Sequence, residues 1–329
     1  MFGYLVRRLV SGLLVLITAV LATFTFFYSG PADPARTICG DRCIPERLAS
    51  IEASLNLNEP KLKQITDFYQ GIVFGRDIPR GTEMRECSAP CLGFSFSTED
   101  EVSSMIFEAT PVTVSIAIGG SLIALAVGTS MGIAASLRRG TVGDKAIVGG
   151  SLLMSAIPYY IVALFAYLYF AAEWGIFNRD GYVPLTDNPA GWVNSLLLAW
   201  LALGLYSSTQ YARYSRGSML EVLGEDYMRT AKAKGLASRR VTVRHGLRAA
   251  MAPIVTIYGL DLATLLGGTI FTESIFQLRG VGLMALEAVG TSDLPVLVGT
   301  VLFAATMIVL MNIVTDVVYS FIDPRVRLG

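Results

Sequence analysis

Charge is scarce in this 329-residue chain: 16% of its residues are Asp, Glu, Lys or Arg, against 53% hydrophobic. A soluble domain carries about 25% charged residues, so lipid is the solvent to expect. The same imbalance excludes a disordered chain, which needs low hydrophobicity and high charge. The 26 basic and 26 acidic side chains cancel, which argues against a nucleic-acid binder. Histidine occurs once, as His245. One histidine supports neither a histidine-rich metal centre nor a Ser-His-Asp hydrolase. The chain also lacks G-x-x-x-x-G-K-[ST] and H-E-x-x-H, so it should neither hydrolyse ATP itself nor act as a zinc protease. A non-catalytic chain with no metal and no cofactor of its own is expected.

Long apolar runs are what it has. A spanning helix needs ~20 mostly apolar residues, and six segments qualify: 9–28, 112–137, 146–172, 192–211, 251–271 and 294–321. They are too long for strands and lack the alternation of an outer-membrane barrel. The first exceeds the ~7–15 apolar residues of a secretory signal and is expected to be retained. The fold class expected is all-α integral membrane with six spans. Basic residues mark the inside. Arg7, Arg8, Arg138, Arg139, Lys145 and the basic stretch after span four lie on one side, while the two short loops opposite hold only Arg179 and Arg279. Both termini are therefore expected to be cytoplasmic.

Three regions follow: 1–30 with the first span, an extracytoplasmic subdomain over 31–108, and a five-helix core over 109–329. The outside segment should hold helices around 45–55 and 61–74, the second with Ile65, Phe68, Tyr69 and Ile72 on one face. All four cysteines, Cys39, Cys43, Cys87 and Cys91, lie here. Facing an oxidising space, they should form disulfides. Each C-x-x-x-C pair can close its own loop, the favoured reading, or the pairs can cross-link the two ends of the segment. A reduced structural metal site is the sharper alternative.

The inside segment 213–250 is the most informative. Glu225 and Asp226 can open a helix, with Arg229, Lys232 and Lys234 after them, an order that suits the helix dipole. Gly235 can end it in a left-handed cap. Two turns bury little and are marginal alone, so such a helix makes sense docked into another protein. Tyr227, Met228, Ala231 and Leu236 give it an apolar ridge. A solvated basic loop near anionic lipid is the bland alternative. Asp261 is the one ionisable residue that reads as well inside a span, where a charge is a functional-site hypothesis by default. Ser155, Pro158 and Tyr159 mark a kink in span three, and Gly267-Gly268 a close contact or hinge. Asn312 and Asp316 read as capping or snorkelling groups at the end of the last span, and His245 as a loop residue.

The run Glu225-Asp226-Tyr227-Met228-Arg229-Thr230-Ala231-Lys232-Ala233-Lys234-Gly235-Leu236, followed by Arg244-His245 and Pro253, resembles the coupling loop of ABC-importer permeases. It is closest to the dipeptide, oligopeptide and nickel group, B-subunit type. The general Glu-Ala-Ala of that loop is mostly replaced by Arg229-Thr230-Ala231. The resemblance runs along the whole chain through Tyr4-Leu5-Val6-Arg7-Arg8-Leu9, an altered Gly30-Pro31-Ala32-Asp33-Pro34, Glu273-Ser274-Ile275-Phe276, Gly280-Val281-Gly282 and Asp323-Pro324-Arg325. It implies a type I permease fold in a bacterial or archaeal cell membrane, carrying di- or oligopeptides. The implied partners are a second six-span permease, two ATPase subunits that hold the ATP and Mg, and an extracytoplasmic substrate-binding protein. Glu225, Asp226, Tyr227, Arg229, Ala231, Lys232 and Gly235 would couple to the ATPase. Asp261, Tyr159 and Ser155 are candidates for the translocation path. The stretch 79–97 could enter the docked receptor or merely support it. A self-sufficient secondary transporter or channel is the competing reading; it would want internal repeats and more charges at mid-membrane.

Overall fold

The computed structural model describes residues 2–28, 34–39, 43–55, 57, 59–80, 83–177 and 181–322. Residues 29–33, Arg179, 323–327 and the side chain of Lys232 lie outside the described residues, so the motifs expected there have no structural account. Helices dominate. Helix α1 (Phe2–Tyr28) opens the chain, and α2 (Pro34–Cys39), α3 (Pro45–Ser54) and α4 (Lys61–Phe74) follow. An antiparallel hairpin, β1 (Arg76–Arg80) with β2 (Glu83–Cys87), pairs Arg76 with Cys87. Then come α5 (Val102–Leu137), α6 (Val142–Ala156), α7 (Tyr159–Ala166, extended as a π-helix over Tyr167–Glu173) and α8 (Pro189–Gly224). The remainder is α9 (Asp226–Ala233), α10 (Ser238–Arg240), a π-helical stretch (Val241–Leu247), α11 (Arg248–Leu266), α12 (Ile270–Ile275), α13 (Val281–Thr291) and α14 (Leu294–Ile322).

Five helices among the described residues are long and apolar enough to cross a membrane, and a sixth span exists if α6 and α7 are taken as one segment bent by 92°. The bend lies at Ile157-Pro158. Proline lacks an N–H and forces its predecessor out of the helical region; Ile157 is extended, at φ −90° and ψ 126°. Its carbonyl, released from the helix ladder, accepts from the Tyr206 hydroxyl at 3.1 Å.

The centre of the bundle is α5 against α8. Ile116, Leu196 and Leu203 are buried there beside Trp200, whose indole N–H donates to the Ser115 carbonyl at 2.8 Å. Small residues let the backbones close, as in membrane bundles generally: a Cβ on Gly128 would lie 2.5 Å from the Ser208 carbonyl oxygen. Matching positions rise together along both helices, so α5 and α8 run the same way. Helix α11 runs back, with Ala250 beside Ser218 and Gly259 against Thr315 of α14. Arg8 of α1 forms an ion pair with Asp316 of α14. The start of α1, the end of α14 and α9 therefore occupy one end of the bundle.

The structure adds detail to three expectations. The boundary at 108 falls inside α5, which already begins at Val102. The segment 213–250 is mostly helix rather than loop, because α8 runs to Gly224 and the chain is helical again from Ser238; His245 therefore sits on a π-helical turn. Asp316 is paired with Arg8 across helices rather than simply snorkelling. In the segment between α1 and α5, Cys39 is bonded to Cys43 and Cys87 to Cys91, with Cα separations of 5.2 and 5.4 Å. The helices α3 and α4 stand where apolar spacing put them, whereas the hairpin had no sequence signal. Lys63 of α4 donates to Glu59 at 2.9 Å, a bond that raises the pKa of the ammonium.

Candidate coupling helix and polar nodes within the bundle

Helix α9 is eight residues long and joins α8 through Glu225, whose extended backbone (φ −66°, ψ 146°) breaks the helix. Its first N–H groups are served locally: Met228 donates to the Glu225 carbonyl at 3.1 Å. Gly235 follows with φ +76° and open space around its α-carbon, the left-handed cap expected from the sequence. A buried side chain anchors α9. Met228 is fully buried, and with Met219 of α8 it covers Gly246 on the π-helical turn, 3.2 and 3.0 Å from where a Cβ would stand. Much of the described surface of the element faces outward. Glu225, Asp226, Tyr227, Arg229 and Lys234 are exposed, and Ala231 is half-buried. Arg229 lies 3.6 Å from Asp226 in an exposed pair, worth little by itself.

Deeper in the bundle, polar side chains form separate nodes. The Tyr211 hydroxyl donates to Asp261 at 2.7 Å. Tyr159 shares a 2.7 Å hydrogen bond with Thr272. Arg213 donates to the Ser151 carbonyl at 3.1 Å and the Ser155 hydroxyl at 2.8 Å, just before the bend. Asp144, at the start of α6, takes a bidentate pair from Arg216 of α8 at 2.5 and 2.9 Å and a third bond from the Gly140 N–H at 2.9 Å. Between α6–α7 and α8 lies an apolar cavity of about 270 Å³, lined by Met154, Val162, Phe170, Leu198, Leu205 and Tyr206.

Residues 124–328 match the family model described as the inner membrane component of binding-protein-dependent transport systems, and residues 1–117 match the N-terminal model for the same components. The chain belongs to this family. It is a permease subunit of an ABC importer, a multi-pass membrane protein of a class that works with a substrate-binding protein and an ATPase. A putative peptide transport system permease of Brucella abortus (strain 2308) is 34% identical over 99% of both chains. The dipeptide transport system permease DppB of Escherichia coli (strain K12) is 33% identical, again over 99% of both. The MetNI methionine ABC transporter, solved in inward-facing conformations, shares the fold with a TM-score of 0.52 at 15% identity; the match covers 67% of this chain and 97% of that one.

Within this permease, each sequence-picked path residue bonds to a partner of its own. Asp261 is held by Tyr211, Tyr159 by Thr272, and Ser155 by Arg213. Ser155 and Tyr159 do flank the same bend. The burial of two carboxylates escaped sequence reading. Glu273 of α12 has no exposed surface and Asp293, preceding α14, almost none. Asp261 is thus not alone among the apolar helices. Both missed acids sit in the stretch joining spans five and six, where charge reads as a solvent loop; only the fold reveals that α12 and α13 dip back into the bundle.

Proposed function

We propose that this permease imports di- or oligopeptides, forming half of the translocation pathway with a second six-span permease. The names of its full-length relatives support the cargo class. In this reading the end carrying α9 and both termini is cytoplasmic, which the distribution of Arg and Lys supports, and the segment 31–108 faces the other side. Two ATPase subunits bind the ATP and Mg; this chain contributes no catalysis and holds no cofactor. An extracytoplasmic binding protein delivers the cargo.

The observation that carries the proposal is the state of α9. A two-turn helix anchored by the buried Met228, with Glu225, Asp226, Tyr227 and Arg229 exposed, is a lever awaiting a groove. Tyr227 and Ala231 supply apolar contact with an ATPase subunit. Glu225, Asp226, Arg229 and Lys232 orient the contact, and Gly235 supplies the turn. ATP-driven closure of the ATPase pair moves α9 and switches the spans between two access states, which requires contacts that differ between them. The path runs along the bent third span, past Ser155 and Tyr159, with Asp261 as its charged group.

The test is purification of the tagged permease from its native membrane in mild detergent. An ATPase subunit and a second permease should co-purify with the wild-type chain. Tyr227→Asp and Gly235→Pro should lose the ATPase and abolish transport while keeping the second permease. Normal transport by both variants would remove α9 from the coupling role, and isolation of the wild-type chain alone would defeat the assembly proposed.

A further inference from the structure

Helix α4 sits lower in the molecule than its place between two spans suggests. Its Phe68 is buried against Val20 of α1 and Val298 and Leu302 of α14, with Ile65, Tyr69 and Ile72 around it. The Tyr69 hydroxyl donates to the Ile17 carbonyl at 2.6 Å. Depth follows from the helical rise. From Arg7 to the end of α1 at Tyr28 is ~31 Å at 1.5 Å per residue, close to the ~30 Å of a bilayer core. Ile17 therefore lies ~16 Å inside the Tyr28 end. Leu302 lies ~12 Å inside the Leu294 end of α14 by the same measure. The contacts of α4 are thus made at the level of acyl chains, in the leaflet opposite α9.

The remaining surface of α4 is divided lengthwise. At 100° per residue, Leu62, Thr66, Tyr69 and Val73 share one flank, and Lys63, Asp67 and Gln70 share the other, which is polar until the exposed Phe74 in the last position of the helix. Leu62 is 79% exposed and Val73 63%. The Thr66 hydroxyl is turned back onto the carbonyls of Leu62 (3.1 Å) and Lys63 (2.9 Å), so no polar group of that flank seeks water. On the other flank Lys63 is paired with Glu59. The apolar flank adjoins α1, whose Leu13, Leu14, Ile17 and Leu21 face outward along a membrane span.

We propose that α4 is an interfacial helix sunk into this leaflet, with Leu62, Thr66 and Val73 against lipid acyl chains and Lys63, Asp67 and Gln70 toward water. Amphipathic helices settle in this way with the apolar face ~5–10 Å below the headgroup boundary. Here the depth is set by protein contacts, because Phe68 and Tyr69 fasten α4 to α1 and α14. The occupant of the exposed flank is lipid, since that flank continues the lipid-facing surface of α1 at the same level.

The four native cysteines are consumed in disulfides, so a thiol introduced on α4 is the one free thiol this chain offers a nitroxide label, and the unsubstituted importer, labelled in parallel, supplies the background from the other subunits. Leu62→Cys, Val73→Cys, Lys63→Cys and Gln70→Cys are labelled in the whole importer, reconstituted in phosphatidylethanolamine–phosphatidylglycerol vesicles. Retained transport certifies the fold of each. Relaxation by oxygen, which concentrates among acyl chains, is compared with relaxation by a water-soluble nickel chelate. The oxygen-to-nickel ratio should be several-fold higher at 62 and 73 than at 63 and 70. Equal, nickel-dominated ratios at all four sites would place α4 in water and overturn the proposal. Poor access of both reagents at 62 and 73 would mean that a protein covers the flank, which overturns it equally. The four sites are read independently, so the failure of one variant to fold leaves the comparison intact.

Discussion

Glu273 shows how a charge can be held inside an apolar bundle. Its Oε1 accepts from the Thr113 hydroxyl (2.9 Å), the Thr269 N–H (3.1 Å) and the Thr269 hydroxyl (3.0 Å), and its Oε2 accepts from the Leu283 N–H (2.7 Å). Thr113 passes the connection on by accepting from the Val281 N–H at 2.9 Å. One carboxylate thereby ties α5, α12 and the start of α13, while the adjacent Thr272 ties α12 to α7 through Tyr159. Such a group is stabilising only because its acceptor sites are filled; an unfilled buried donor costs about 1–3 kcal/mol. Glu273→Gln turns an NH2 toward N–H or O–H donors on one side. It should therefore destabilise the permease by about 1–3 kcal/mol, and Glu273→Ala by more, read as thermal unfolding in detergent. Asp261 is the contrast: its carboxylate accepts from the Tyr211 hydroxyl, a single bond among the described residues. Asp261→Asn keeps an acceptor for that hydroxyl, so its stability should change by less than about 1 kcal/mol. A transport defect in that variant would then report on the path. If Asp261→Asn unfolds as readily as Glu273→Gln, Asp261 is a structural group.

At the level of elements, attachment decides what moves. Helix α5 is locked to α8 over most of its length; Gly128 faces the Ser208 carbonyl so closely that a valine there must push the backbones apart. Overpacking of this kind costs ~1–3 kcal/mol, so Gly128→Val should lower the unfolding temperature of the whole bundle. Helix α9 is anchored by Met228. Met228→Asp should leave that temperature nearly unchanged but strip hydrogen-exchange protection from the amides of 228–234, since elements with few buried contacts open locally. A bundle-wide loss of protection would show that α9 is part of the core. The same contrast explains what the sequence revealed. Long apolar runs and apolar spacing suffice to find α1, α5, α8, α11, α14, α3 and α4, and the order of charge before Gly235 finds α9. The bend was legible in Pro158. The re-entrant α12–α13 pair was not, because six and eleven residues interrupted by glycines and a glutamate look like a loop. The Asp144–Arg216 and Arg8–Asp316 pairs join residues 72 and 308 positions apart, and no local pattern announces them.

Across the whole molecule, α14 acts as a strut fastened at both ends. At its start, Asp293 Oδ2 accepts from the Ser95 hydroxyl (2.6 Å), the Phe96 N–H (3.0 Å), and the Ser97 N–H and hydroxyl (3.1 and 3.0 Å). That fixes the segment just after the Cys87–Cys91 bond to the end of the bundle opposite α9. At its other end Asp316 holds Arg8, and with it the start of α1. The two attachments are ~35 Å apart along the helix, with no partner in common. Perturbations so separated normally add to within about 0.5 kcal/mol. Asp293→Ala strands several donors around the 95–97 turn and should be the more damaging single change. Arg8→Gln, in a half-exposed pair, should cost less, because solvent screens such pairs. If α14 is only a passive span, the double variant should show the sum of the two losses in chemical unfolding. A deficit or excess well beyond 0.5 kcal/mol would mean that the helix transmits strain between the outer segment and the α9 end. The strut would then belong to the transport cycle as well as to the scaffold.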